Sequence, residues 1–265
     1  MTLLPHDRYC DETAHQIRQL RALVTSGADL AATVPTCPDW SLEDLVRHVG
    51  GALRWAELLV RTRAVAEIPE ERVPGYAGPR ARGDAAALDA WLAESAAAAD
   101  RALREAGPDA AVWSWAGTRT AGFWARRMTH EVTVHRADAT LAAGLPYEVA
   151  PEVAADAVDE WLEIVRFVQR TVPGDAVREL RGPGRSIHLH ATGTPPGLDA
   201  EWIVDLTEEG IDWRRGHERA TVVLSGPLTS VLLAFYRRLP LDAPGLEVRG
   251  ERALLEFWLE RATFG

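Results

Sequence analysis

The stretch Arg126-Arg-Met-Thr-His-Glu-Val-Thr-Val-His-Arg-Ala-Asp-Ala139 decides how the chain is read. It falls in a helix predicted over about Ala121 to Ala143 and closed by Gly144, a residue that favours helix ends. On a helix, Glu131 and His135 stand one turn apart, within about 40° around the axis, so both can reach one ion. Asp138, seven residues after Glu131, returns to the same side within about 20°. There it would either orient a metal-bound imidazole or pair with an arginine. His130 cannot join, because it lies about 140° around the axis from His135. The pattern is therefore not the zinc-protease motif, whose two histidines are four apart. On its own, a Glu and a His at this spacing are more often a solvated ion pair than a ligand set.

Upstream the chain also reads as helix. Apolar Ile17, Leu20, Leu23 and Val24 follow helical spacing from about His6 to Ser26, and Gly27 stops them. In Pro35-Thr-Cys-Pro-Asp-Trp-Ser-Leu-Glu-Asp44, Ser41 and Asp44 form a capping-box pattern. A helix over about Ser41 to Ala64 should follow, with His48 on an apolar stripe beside Leu45, Ala52 and Trp55. That placement by itself suits a satisfied core histidine. Residues 69–83 are rich in Pro, Gly and Arg and read as a long loop, after which Asp84 caps an alanine-rich helix to Gly107. The tryptophan-bearing loop Val112-Trp-Ser-Trp-Ala-Gly117 leads back to the opening segment.

Downstream, Pro151 is a favourable first-turn residue for a helix to about Arg170. Past Val172-Pro-Gly the character changes to short β-rich runs at 186–191, 201–206, 211–215 and 221–224. A helix over 228–238, a strand over 246–249 and a helix over 253–263 complete it. The expected class is α+β: a four-helix bundle over residues 1–175, then a smaller α+β domain over 176–265. His188 and His190 alternate on one strand face, which either faces a cleft or, as the expectation favours, is exposed. Cys37, in a Pro-flanked loop without a basic partner, is expected to be structural.

The net charge of −10 and the lack of a basic stretch argue against binding nucleic acid or anionic membranes. Every basic residue is arginine, which excludes a lysine Schiff base. No signal-peptide pattern opens the chain and no apolar run approaches the roughly 20 residues of a membrane span. Two cysteines give neither a ligand pair nor a disulfide framework. A cytoplasmic protein is expected.

Six stretches, in order, resemble the mycothiol-dependent maleylpyruvate isomerase family of DinB-like metal-binding bundles. They are Thr36-Cys-Pro-Asp-Trp-Ser41, His48-Val-Gly-Gly51, His130-Glu-Val-Thr-Val-His-Arg-Ala-Asp138, Ile187-His-Leu-His190, Leu224-Ser-Gly-Pro227 and Leu246-Glu-Val-Arg-Gly250. The resemblance implies a zinc or other divalent ion on His48, Glu131 and His135, and a sterol-carrier-like C-terminal domain. It implies mycothiol as co-substrate, activated as a metal-bound thiolate that attacks a small electrophile, in an isomerase or an S-transferase. It also implies a functional arginine in a motif ending Gly-Arg. Here Ala234-Phe-Tyr-Arg-Arg-Leu239 has no glycine; Arg238 is the closer match and Arg237 the next. Either arginine would clamp a substrate carboxylate or simply place charge at a helix C-terminus. The competing expectation is a non-catalytic small-molecule binding protein, with the metal structural or absent and Trp113, Trp115, Phe123 and Trp124 lining an apolar pocket.

Overall fold

A computed structural model describes residues 4–263, and its backbone contacts divide the chain into two units between Tyr147 and Glu148. Four long helices build the first: α1 (His6–Thr25), α2 (Leu42–Arg61), α3 (Ala85–Ala106) and α4 (Ala121–Ala142). Three begin at caps the sequence supplies. Asp84 accepts from Ala87 N, Thr120 accepts from Phe123 N, and Ser41 and Asp44 complete their capping box. Both α1 and α2 pack against α3 and α4, closing a four-helix bundle. Its core holds Leu20, Leu45, Leu53, Leu59, Leu92 and Trp124, all essentially solvent-free. Each such leucine contributes roughly 1.5–3 kcal/mol through burial.

Gly50 has a specific reason to be glycine. A Cβ there would lie 2.2 Å from the Trp91 ring of α3, so the bare backbone lets α2 and α3 approach closely. Ahead of α2, the expected loop is a small hairpin of β1 (Thr33–Val34) and β2 (Cys37–Ser41). Pro38 is tolerated because β2 pairs on one side only.

The second unit begins with α5 (Pro151–Thr171), which the sequence had grouped with the bundle. Its polar contacts explain the difference from the expected 175/176 boundary. Asp159 accepts from Trp202 Nε1 at 2.7 Å, and Gln169 bonds the backbone of Val177, Leu180 and Ile211. Helical periodicity identifies such a helix but not the core it joins.

The sheet runs β5 (Ile211–Arg215), β4 (Glu201–Leu206), β3 (Arg185–Thr192), β6 (Val222–Pro227), β7 (Glu247–Gly250). Only β3 and β6 are parallel. Ile187, Leu189, Trp202, Val204, Val222 and Leu224 alternate along the strands with their neighbours and are buried. Two helices complete the unit, α6 (Leu228–Phe235) and α7 (Arg252–Arg261), and Phe235 stacks on Trp258 at 5.3 Å between ring centroids. Among the described residues no helix is long and apolar enough to cross a membrane.

Candidate metal centre

The segment from Thr36 to His48 accounts for most of the geometry. Strand β2 carries Trp40, whose ring centroid lies 4.8 Å from that of His48 and 6.2 Å from that of His135. The next residue, Ser41, caps α2 through its side-chain oxygen. This fixes where α2 starts, so His48, about two turns on, is presented to the same point as the α4 pair. From α4, Glu131 and His135 project one turn apart, as their spacing requires.

The three side chains converge. Glu131 Oε1 lies 2.9 Å from His48 Nε2 and 3.2 Å from His135 Nε2. One donor atom from each falls within 4.8 Å of the other two. Zinc bonds of about 2.0–2.1 Å at tetrahedral angles put neighbouring donors roughly 3.3 Å apart, so the arrangement fits a divalent ion.

Outer contacts set the orientation. His135 Nδ1 meets Asp138 Oδ2 at 2.9 Å, and Asp138, fully buried, also accepts from Thr36 Oγ1 at 2.5 Å. With Nδ1–H given to the carboxylate, Nε2 keeps its lone pair for an ion. Arg127 Nη2 donates to the other oxygen of Glu131, at 3.1 Å.

The electrostatics follow from these contacts. Burial opposes charge on Glu131, but the nearby His135, hydrogen bonds from both histidines and Arg127 outweigh it. Its carboxyl is held well below the usual carboxylate range. Burial likewise opposes a charged His135, yet Glu131 and Asp138 raise it to about 9. The carboxylates thus retain a proton on His135 that a divalent ion would displace.

His130 is fully buried and packs edge-on against Tyr9 of α1 at 6.2 Å, away from this cluster as its helical angle requires. Cys37 is half-buried in β2. Burial pushes the Cys10 thiol up to about 11, which leaves it a poor nucleophile. Trp113 and Trp124 both meet Trp55 edge-on, at 6.2 and 5.1 Å, and Trp115 meets Phe123 at 5.5 Å. Thr36, Trp40 and Arg127 were not singled out by sequence. Only the first two sit in a stretch that the family resemblance flagged.

In the second unit, α6 ends at Phe235, three residues earlier than the 228–238 helix expected. Arg237 then takes φ +64°, the left-handed position after a helix that glycine normally fills. Arg238 is half-buried and donates to Tyr236 O at 2.8 Å. The expected exposure of His188 and His190 is not what the fold gives: His188 is 3% exposed and His190 half-buried. Both turn toward Glu201 of the neighbouring strand.

Residues 10–140 match the mycothiol maleylpyruvate isomerase N-terminal domain, and residues 152–257 match the MDMPI C-terminal domain. Among solved structures, the chain is similar to that of the mycothiol-dependent maleylpyruvate isomerase. The two are 19% identical with a TM-score of 0.53, over 95% of this chain and 97% of that one. A histidine-to-alanine mutant of the mycothiol-dependent maleylpyruvate isomerase is 18% identical with a TM-score of 0.56, over the same 95% and 97%. No curated protein sequence matches the chain.

Proposed function

We propose, from the premise that the chain belongs to the mycothiol maleylpyruvate isomerase family, that it is a zinc-dependent enzyme using mycothiol against a small electrophile. One observation carries this: His48, Glu131 and His135 bring three donor atoms to one point, from two helices far apart in sequence. Two imidazoles and a carboxylate are the ligand set of a catalytic rather than a closed structural zinc site.

A divalent ion held there supplies Lewis acidity and an open position at which thiolate is favoured over thiol. The chain's own residues do the rest. Asp138 keeps His135 in one tautomer, and Thr36 keeps Asp138 in place. Arg127 holds the second oxygen of Glu131, so the carboxylate presents the first. Trp40 packs its ring beside both imidazoles. Arg238 is assigned to bind a substrate carboxylate, because it is the closer match to the arginine of the family motif and stands half-buried just past the end of α6.

Addition of a thiolate to an activated double bond, rotation and elimination make an isomerase; release of the adduct makes an S-transferase. Both need the same cluster. Zinc-loaded protein is incubated with mycothiol and maleylpyruvate, then with other small electrophiles, and products are resolved by mass spectrometry. Geometric isomerisation assigns an isomerase and a mycothiol adduct assigns a transferase, each disappearing in His48→Ala together with its metal. Arg238→Ala should raise KM for a carboxylate substrate without changing metal content. A zinc-loaded protein that yields neither product defeats the proposal.

A further inference from the structure

A second set of metal-binding side chains lies in the sheet of the second unit. On β3, His188 and His190 are two apart and share a face. The antiparallel register sets Glu201 of β4 directly opposite His190. Past β5 the chain turns back: Gly216 N donates to Glu201 O at 3.1 Å, and the next residue is His217. Arg214 holds Glu218 with two bonds of 2.9 and 2.6 Å, which pins the turn that carries His217.

All three imidazoles aim at one atom. Glu201 Oε2 lies 2.9 Å from His188 Nε2, 2.6 Å from His190 Nδ1 and 2.7 Å from His217 Nδ1. The four donor atoms fall within 4.8 Å of one another. The rings stand mutually edge-on, with centroids 5.1–5.5 Å apart and interplanar angles of 72°, 88° and 73°. A carboxylate oxygen offers about two lone-pair directions, so three donors crowd it. A cation at the centre of the pinwheel would instead give each nitrogen and the oxygen a partner.

We infer that His188, His190, Glu201 and His217 form a second metal site that takes a divalent transition ion of the zinc class. Three imidazoles and one carboxylate suit zinc, cobalt, nickel or copper. Calcium and magnesium call for oxygen ligands and are not served by this set. The side chains grade from His188, 4% exposed, to His217, 72% exposed, so an ion would enter from the His217 side. Bound there, it would tie the turn after β5 to β3 and β4. The site uses no residue of the helical cluster.

The test uses untagged full-length protein, stripped with chelator, titrated with Co(II) and desalted before metal analysis. In a His48→Ala/His135→Ala background two of the three helical donors are gone. The second site then predicts about one retained equivalent with visible d–d absorption. Adding His217→Ala, or separately Glu201→Gln, should weaken binding by at least about tenfold. His217 is exposed, so its substitution spares the fold, as unchanged melting of the stripped proteins would verify. No cobalt retained in the double-variant background, or an affinity that both further substitutions leave unchanged, overturns the inference.

Discussion

The two histidine–carboxylate clusters are built by opposite routes. In the bundle, two of the three donors have outer support: His135 leans on Asp138, which leans on Thr36, and Glu131 leans on Arg127, while His48 packs against the Trp40 ring. In the sheet, three histidines converge on a single oxygen of Glu201, and among the described residues His188, His190 and His217 show no comparable backing carboxylate. Exposure in the helical cluster runs only from His135 at 13% to His48 at 32%, while the sheet cluster runs from His188 at 4% to His217 at 72%. Outer support is what fixes a ligand's tautomer and direction. The contrast therefore suggests an ion held for chemistry in the bundle and an ion that fastens a turn in the sheet.

The largest expected effect tests whether chemistry belongs to the bundle. Glu131→Gln removes the carboxylate charge that both His48 and His135 face and replaces one of its two oxygens with an amide NH2. Turnover with mycothiol should fall by more than the roughly 10–100-fold that loss of an outer partner costs, and the ion of the bundle should be lost. Steady-state kinetics with metal analysis would show it. Turnover that survives would move the chemistry away from these helices and erase the contrast.

Next is Gly50→Ala, which asks whether the bundle cluster depends on helix packing. The new methyl would meet the Trp91 ring at 2.2 Å, an overpacking cost at the upper end of about 1–3 kcal/mol. Because α2 carries both Gly50 and His48, urea melts should show lost stability and the bundle should bind metal more weakly. An unchanged melt would mean that the α2–α3 contact yields freely.

Asp138→Asn separates the clusters most cleanly. It keeps the shape but weakens the acceptor for His135 Nδ1. Metal affinity in the bundle should drop by about 10–100-fold, read by chelator competition, while His188, His190, Glu201 and His217 keep theirs. A parallel drop in both would show that they are not independent.

The same contrast explains what was legible in the sequence. A helix places residues four apart on one side, so Glu131 and His135 could be paired from spacing alone, and His130 excluded. His48 was different: nothing in its stripe separated a ligand from a core histidine until the family resemblance joined it to α4. The sheet cluster left no such trace, because His188 and His190 gave a shared face but not its burial. Glu201 depends on cross-strand register and His217 on a turn, neither of which periodicity encodes. For the same reason α5 was recognised as a helix but grouped with the bundle, since its partners Trp202 and Ile211 lie far along the chain.

The smallest effect concerns the start of α2, which sets the position of His48. Asp44 accepts from Ser41 N at 3.0 Å and Ser41 Oγ at 2.5 Å, and Arg82 Nη2 reaches it at 2.6 Å. The Ser41 hydroxyl is the largest influence; burial opposes it and Arg82 adds to it, and together they lower the carboxyl from 3.8 to about 2. Because the folded value lies below the unfolded one, this stabilisation is present above pH 4 and fades as pH falls toward 2. Asp44 is partly exposed, so solvent screening limits the contribution to that of an ordinary cap, about 1 kcal/mol. Asp44→Asn should therefore be less stable than wild type at pH 6, with the gap narrowing between pH 4 and 2 in denaturant melts. A gap that stays constant over that range would mean that the charge of Asp44 does not anchor the helix bearing His48.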